Sequence, residues 1–299
     1  MARTRAQRDA EQELTNSMIE LIESGEVNGR WERPWNTVGF LPYNALTGKQ
    51  YRGINMLVGL IAGGGAFATY KQWKELGGQV QGGQKAIATM FRPMTIQKKD
   101  DNGNTIIGSD GEPETFIWFK AFGVHAASQQ DGWAPDSTGA VVFDDVEAAE
   151  ATIAATGARI MEGGSDRAFY RPSDDSITLP GREQFTTAAG FYGTALHELV
   201  HWTGHASRLD RGLDTNRFGD EAYAFEELVA ELGATFLCAH FGIEQEADNN
   251  HAKYVKSWLR ILRNDKRAIK DAASKAQKAV DFIMEGAVAQ ADGEVNKAA

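Results

Sequence analysis

The segment His197-Glu198-Leu199-Val200-His201 sets two imidazoles four residues apart. In a helix that spacing is about one turn, so both rings lie on one face and reach one metal ion. Glu198 stands beside them, a carboxylate suited to act as a base toward water. Three fixed letters recur often by chance, so the surroundings matter. Ala195, Leu196, Leu199 and Val200 are apolar, which predicts a buried helix. Burial without partners is costly for two histidines and a glutamate.

A hydrolytic metal site needs a third protein ligand and one open position. His205 continues the spacing, but in a straight helix it stands roughly 12 Å along the axis from His197. The segment Tyr223–His240 is the better source. On a helical wheel Phe225, Leu228, Val229, Leu232 and Phe236 make one large apolar stripe. Ala224, Glu227, Glu231, Ala234 and Cys238 make a second, narrow face on which another helix can pack closely. Glu227 is therefore assigned as third ligand. Glu231 is assigned to accept the remaining N–H of a ligating histidine. Glu226 is read as pointing elsewhere. Either Tyr192 or Tyr223 can donate to an oxyanion, and Tyr192 is taken as the catalytic candidate. Zinc is the expected ion, with manganese or another divalent metal compatible.

These side chains need two long helices, placed at 185–204 and 220–241. Ahead of them, Val141–Phe143, Arg159–Met161, Ala168–Tyr170 and Ser176–Leu179 read as short strands, and Val146–Ala155 as a helix. Ser176–Leu179 is expected at a sheet edge beside the site, open to addition of an extended peptide. A helical tail runs from about 250 to 285. The N-terminal half opens with an amphipathic helix at 9–25 and continues with a loop at 26–50. A buried helix, Ile54–Ile61, and a short one capped by Thr69 come next. Two strands, Ala86–Arg92 and Thr115–Val124, are joined by a long polar loop. Residues 126–140 read as a linker. The fold class is α+β with two domains, 1–125 and 141–299.

Charge divides the chain in the same way. Of 299 residues, 1–125 hold 14 Lys and Arg against 13 Asp and Glu, while 126–299 hold 17 against 28. Residues 30–99 hold 10 basic residues and two acidic ones, interleaved with nine aromatics. Cations with stacking rings suit single-stranded nucleic acid. No spacing for sequence-specific duplex reading is present. Lys49, Arg52, Tyr70, Lys71 and Trp73 are the DNA-contact candidates. The lone cysteine, Cys238, excludes an intrachain disulfide. With no secretory pattern at the N-terminus and no membrane span, a cytoplasmic protein is expected.

The run His197–His205 with Arg208-Leu209-Asp210 resembles the ArdC family of plasmid-borne antirestriction proteins. So does Glu226-Glu227-Leu228-Val229-Ala230-Glu231-Leu232-Gly233. Pro34-Trp35, Pro42-Tyr43-Asn44, Thr47-Gly48-Lys49, Tyr51-Arg52-Gly53-Ile54-Asn55 and Thr69-Tyr70-Lys71-Gln72-Trp73 resemble its N-terminal domain, a relative of which occurs in TraC primases. The resemblance implies a single-stranded-DNA-binding domain followed by a zincin-like metallopeptidase domain. It also implies protection of incoming conjugative DNA from host restriction, with a restriction component as a candidate protein target. Two hypotheses follow. In one the second domain cleaves a protein. In the other the chain shields DNA and its metal site is structural or regulatory.

Overall fold

The structure, a computed structural model, describes residues 10–24, 26–27, 30–31, 41–100, 102–134, 146–213, 221–244 and 252–295. The chain begins with α1 (Ala10–Ser24), β1 (Glu26–Val27), β2 (Arg30–Trp31), β3 (Tyr43–Asn44) and α2 (Ile54–Ile61). It continues with β4 (Ala66–Ala68), α3 (Tyr70–Glu75), β5 (Gln79–Val80), β6 (Ala88–Gln97), β7 (Thr115–Ala126) and β8 (Gln130–Asp131). The C-terminal part contains α4 (Val146–Ala155), β9 (Arg159–Glu162), β10 (Phe169–Arg171) and β11 (Ser176–Leu179). Four helices end it: α5 (Ala188–Thr203), α6 (Glu221–His240), α7 (Ala252–Asn264) and α8 (Ala268–Val295).

Two compact units result. The first gathers the described residues of 1–43, 50–65 and 135–299. Its centre is α6, flanked by α5, α7 and α8. Every residue of α6 from Glu226 to Ala239 is buried. A helix apolar or small on nearly all sides belongs at the middle of a bundle. Helix α2 packs on α8, and α1 packs on α7, with Thr15 Oγ1 donating to the carbonyl of Lys266 at 2.8 Å. The first 65 residues therefore contribute two helices to the unit that holds the C-terminal half. A boundary at residue 125 is a division of the sequence and its charge, not of this packing.

The small sheet of this unit runs β10-β11-β9, antiparallel then parallel. Strand β11 is its centre, buried at all four positions. The expected edge at Ser176–Leu179 is therefore corrected, because both sides of that strand already hold backbone partners. The expected helical tail is two helices. The chain turns at Asp265, whose Oδ1 accepts the Arg267 amide at 2.8 Å just ahead of the second.

The second unit comprises residues 44–49 and 66–134. Its sheet places β7 between β4 and β6. Strands β6 and β7 form a ten-pair antiparallel ribbon that runs farther than the sequence suggested, from Ala88↔Val124 to Gln97↔Thr115. Within the expected linker, Ala126–Asp131 is structured. It completes β7, makes a 3-10 turn and forms β8, which pairs with β5. Gln130 donates to the carbonyl of Trp133, and Trp133 lies with its ring centroid 5.0 Å from that of Trp73. The rest of that linker, 135–140, and the strand expected at Val141–Phe143 lie outside the described residues.

Candidate functional site

Thr187 starts α5, its side chain accepting the Gly190 amide at 3.0 Å. The helix then runs unbroken to Thr203, with Gly204 as its cap. His197 and His201 sit one turn apart, ring centroids 4.9 Å from each other. Helices α5 and α6 meet closely at Val200 and Gly233. A Cβ on Gly233 would come within 2.7 Å of Val200 Cγ2. This approach carries the carboxylates of α6 to the histidines.

Glu227 Oε2 stands 3.6 Å from His197 Nε2, and its Oε1 stands 3.8 Å from His201 Nε2. The three ligand atoms lie within 4.8 Å of one another. The Glu227 gaps are too long for hydrogen bonds. They are close to the spacing of about 3.3 Å that two ligands share when each is about 2 Å from one tetrahedral ion. Two neutral nitrogens and one carboxylate are also the donor set of a divalent hydrolytic site. The residues present therefore fit such an ion.

The other ring nitrogens face carboxylates too. His201 Nδ1 is 3.1 Å from Glu226 Oε1, and His197 Nδ1 is 3.9 Å from Glu231 Oε2. Glu231 is wholly buried. Glu226, read from the sequence as pointing elsewhere, is instead part of the site. Arg211 grips it with Nε at 2.9 Å from Oε2 and Nη2 at 2.7 Å from Oε1. The same guanidinium donates to the Val200 carbonyl and the Thr203 hydroxyl, tying Glu226 to the end of α5. No spacing rule marks Arg211. Gly204, where a Cβ would come within 2.8 Å of Arg211 Nη2, is the one local hint.

Burial opposes the charged form of His197, but Glu227, Glu198 and Glu231 outweigh it and raise the imidazole to about 9. Burial likewise opposes ionised Glu227, yet the histidines and the Tyr223 hydroxyl bring it down to about 2. Burial also works against the Glu226 carboxylate, and His201 and Arg211 overcome it and hold its pKa low. The pocket thus stabilises negative carboxylates facing positive or metal-bound partners.

Tyr223 is the tyrosine at the site. The Glu227 charge acts on its hydroxyl, which receives the Tyr254 hydroxyl at 3.3 Å. Tyr192 is elsewhere. Five residues before His197, it is turned by about 140° on the helix. Its hydroxyl accepts from Arg182 at 3.3 Å, within a cluster completed by Glu150 and Glu162. Glu198 is buried beside His197 on the site helix. His205 bonds Ser207, and Arg208 is held by Asp175 and the Trp202 carbonyl.

The DNA-contact candidates are scattered. Lys49, Lys71 and Tyr70 are exposed, Tyr70 accepting from Gln79 Nε2 at 2.8 Å. Arg52 pairs with Asp281 of α8. Trp73 is 0% exposed and donates its indole N–H to the His125 carbonyl at 3.0 Å. It is a core residue of its unit, not a stacking surface, because α3 turns that ring inward against Trp133.

Comparison with known proteins agrees with this architecture. The model of a zincin-like metallopeptidase (MPTase-PolyVal) matches residues 147–275, and that of the N-terminal domain of anti-restriction factor ArdC matches residues 8–125. Fold and matches together define a two-domain protein with a zincin-like second domain. The chain belongs to the ArdC antirestriction family. It is 40% identical to the antirestriction protein ArdC of plasmid R388 in its metal-free crystal structure, with a TM-score of 0.76. The match covers 94% of this chain and 98% of that one. The Mn(II)-bound structure of the same protein gives 38% and 0.71 over equal coverage. An uncharacterized Sinorhizobium fredii protein, y4eC, is 35% identical over 92% of this chain and 91% of its own length. A DNA primase TraC of Escherichia coli is 38% identical over 91% of this chain, which spans only 27% of the primase. No described helix is long and apolar enough to cross a membrane.

Proposed function

We propose that this chain is a plasmid antirestriction protein that binds single-stranded DNA through its N-terminal domain, residues 1–125. Its second domain, 141–299, is a metal-dependent peptidase acting in the cytoplasm, with a host restriction component as protein target. The observation that carries the peptidase reading is the convergence of His197, His201 and Glu227 beside Glu198. A bound divalent ion, zinc by donor set and manganese by analogy with the R388 relative, supplies Lewis acidity there and makes water easier to deprotonate. Glu198 takes the proton from water on its carboxylate and returns it to the leaving amine. Glu226 and Arg211 hold His201 with Nε2 directed at Glu227. Glu231 lies behind His197. In this reading the Tyr223 hydroxyl helps keep the Glu227 carboxylate ionised, and Tyr192, engaged by Arg182, is assigned no chemical role.

Glu198→Gln separates the two functions. Gln is nearly isosteric and is not among the three converging ligands, so metal content and single-strand affinity should match wild type. Proteolysis should vanish, because the amide cannot accept the proton. The readout is plasmid transfer into recipients with and without active restriction. Loss of protection by a variant that still binds metal and DNA supports the peptidase. Full protection by Glu198→Gln would discard hydrolysis as the mode of action and leave DNA shielding.

A further inference from the structure

The ribbon β6–β7 carries side chains that the metal site leaves unused. Its register sets Arg92 opposite Lys120, Met94 opposite Trp118 and Ile96 opposite Phe116. Alternation along each strand puts these six on one face, with Pro93, Thr95, Ile117 and Phe119 on the other. Both cations are exposed, and Trp118 and Phe116 are 39% and 44% exposed. Among the described residues neither cation forms an ion pair. Lys98 and Glu114, the next pair toward the tip, neutralise each other at 2.9 Å.

Both features are unfavourable by themselves. Like charges directly opposite on an antiparallel pair repel. Exposed aromatics side by side keep apolar surface in water. One partner relieves both. Phosphates of a single strand neutralise Arg92 and Lys120, and its open bases stack on Trp118 and Phe116. These rings stand two residues apart on one strand, about 6.8 Å, so each can take its own base. A duplex offers phosphates but keeps its base faces stacked inside.

We propose that this face, formed by Arg92, Lys120, Trp118 and Phe116, is where the chain binds single-stranded nucleic acid. The proposal rests on the DNA-binding reading above and assigns it a surface. It moves the stacking rings from the α3 segment to the ribbon.

The test titrates the full-length chain with a short fluorescein-labelled oligothymidylate, following anisotropy at several salt concentrations. Trp118→Ala/Phe116→Ala should lose affinity by about tenfold or more. Arg92→Gln/Lys120→Gln should flatten the log–log salt dependence by about 1.4, at roughly 0.7 per cation on a single strand. Ile117→Ala, on the opposite face of the same strand and 65% exposed, should bind as wild type. All the altered positions are exposed, so thermal unfolding should stay unchanged and serves as the folding control. If wild type binds and the ring variant binds equally well, this surface is wrong while the DNA reading survives. If wild type itself does not bind, the DNA reading fails and takes the surface with it. Equal loss in Ile117→Ala overturns the assignment of face. A change of oligomeric state in sedimentation, with DNA affinity intact, makes the face a protein interface and overturns the proposal.

Discussion

His201 Nδ1 stands 3.1 Å from Glu226 Oε1, and Arg211 Nη2 stands 2.7 Å from the same oxygen. A ring whose Nδ1 N–H is committed to a carboxylate presents Nε2 as a lone pair, the form that can ligate. Arg211, its side chain only 4% exposed, helps keep that carboxylate ionised. Orientation of the site thus depends on a loop residue just beyond α5.

Glu226→Gln should therefore weaken metal binding by about 10–100-fold without abolishing it. It should also cost about 3 kcal/mol or more of stability, because Arg211 is left buried without its counter-charge. Metal titration calorimetry and thermal unfolding report the two effects. Glu227→Ala and His201→Ala, by contrast, should empty the site by elemental analysis. If Glu226→Gln empties it while Glu227→Ala does not, the ligand assignment is reversed.

Gly233→Ala should destabilise by about 1–3 kcal/mol, since the added methyl meets Val200. The double variant Gly233→Ala/Val200→Ala should recover part of that loss by making room. Chemical denaturation of wild type, Gly233→Ala, Val200→Ala and the double variant checks the coupling. Additive losses would mean that the two helices do not meet as described.

Trp73→Ala should cost about 3–5 kcal/mol, as expected of a large side chain removed from a core. Tyr70→Ala, three residues away and exposed, should stay within about 0.5 kcal/mol. Thermal melts distinguish them. Any DNA-binding defect in the Trp73 variant should track its unfolding, and disappear at temperatures where it is folded.

Asp175 accepts from Arg208 and from Tyr170, and the Arg208 hydrogen bond holds its pKa below the usual carboxylate value. A depressed folded-state pKa contributes stability above the unfolded value of about 3.9, and that contribution fades as pH falls through the lower folded value. Asp175→Asn should thus destabilise at neutral pH by no more than about 1 kcal/mol, the carboxylate being partly exposed. The difference from wild type should shrink below about pH 4. Asn tolerates the left-handed backbone at this position, φ 49°, so the charge effect is isolated. A difference that does not depend on pH would refute the electrostatic origin.

Local rules were enough for much of this. Spacing by four on a helix is a property of the helix alone, so His197, His201 and the Glu227–Glu231 pair were legible before any packing was known. Periodicity located Ile54–Ile61 and Val146–Ala155 with the ends the structure has. Choosing between neighbouring side chains was not a local matter. Gly233 lies about 20° from Glu226 around α6, so seating Val200 on it turns the Glu226 edge toward α5 along with Glu227. Tyr223 rather than Tyr192 reaches the site for the same reason, since only the crossing of the helices decides which tyrosine faces inward. Composition placed cations and aromatics in the N-terminal half but could not tell a core ring from a surface ring. Trp73 and Trp118 look alike in sequence. Packing under β7 buries the first, and a ribbon extending beyond its sheet leaves the second in solvent. Residue type sets what a side chain can do, and long-range packing sets what it meets.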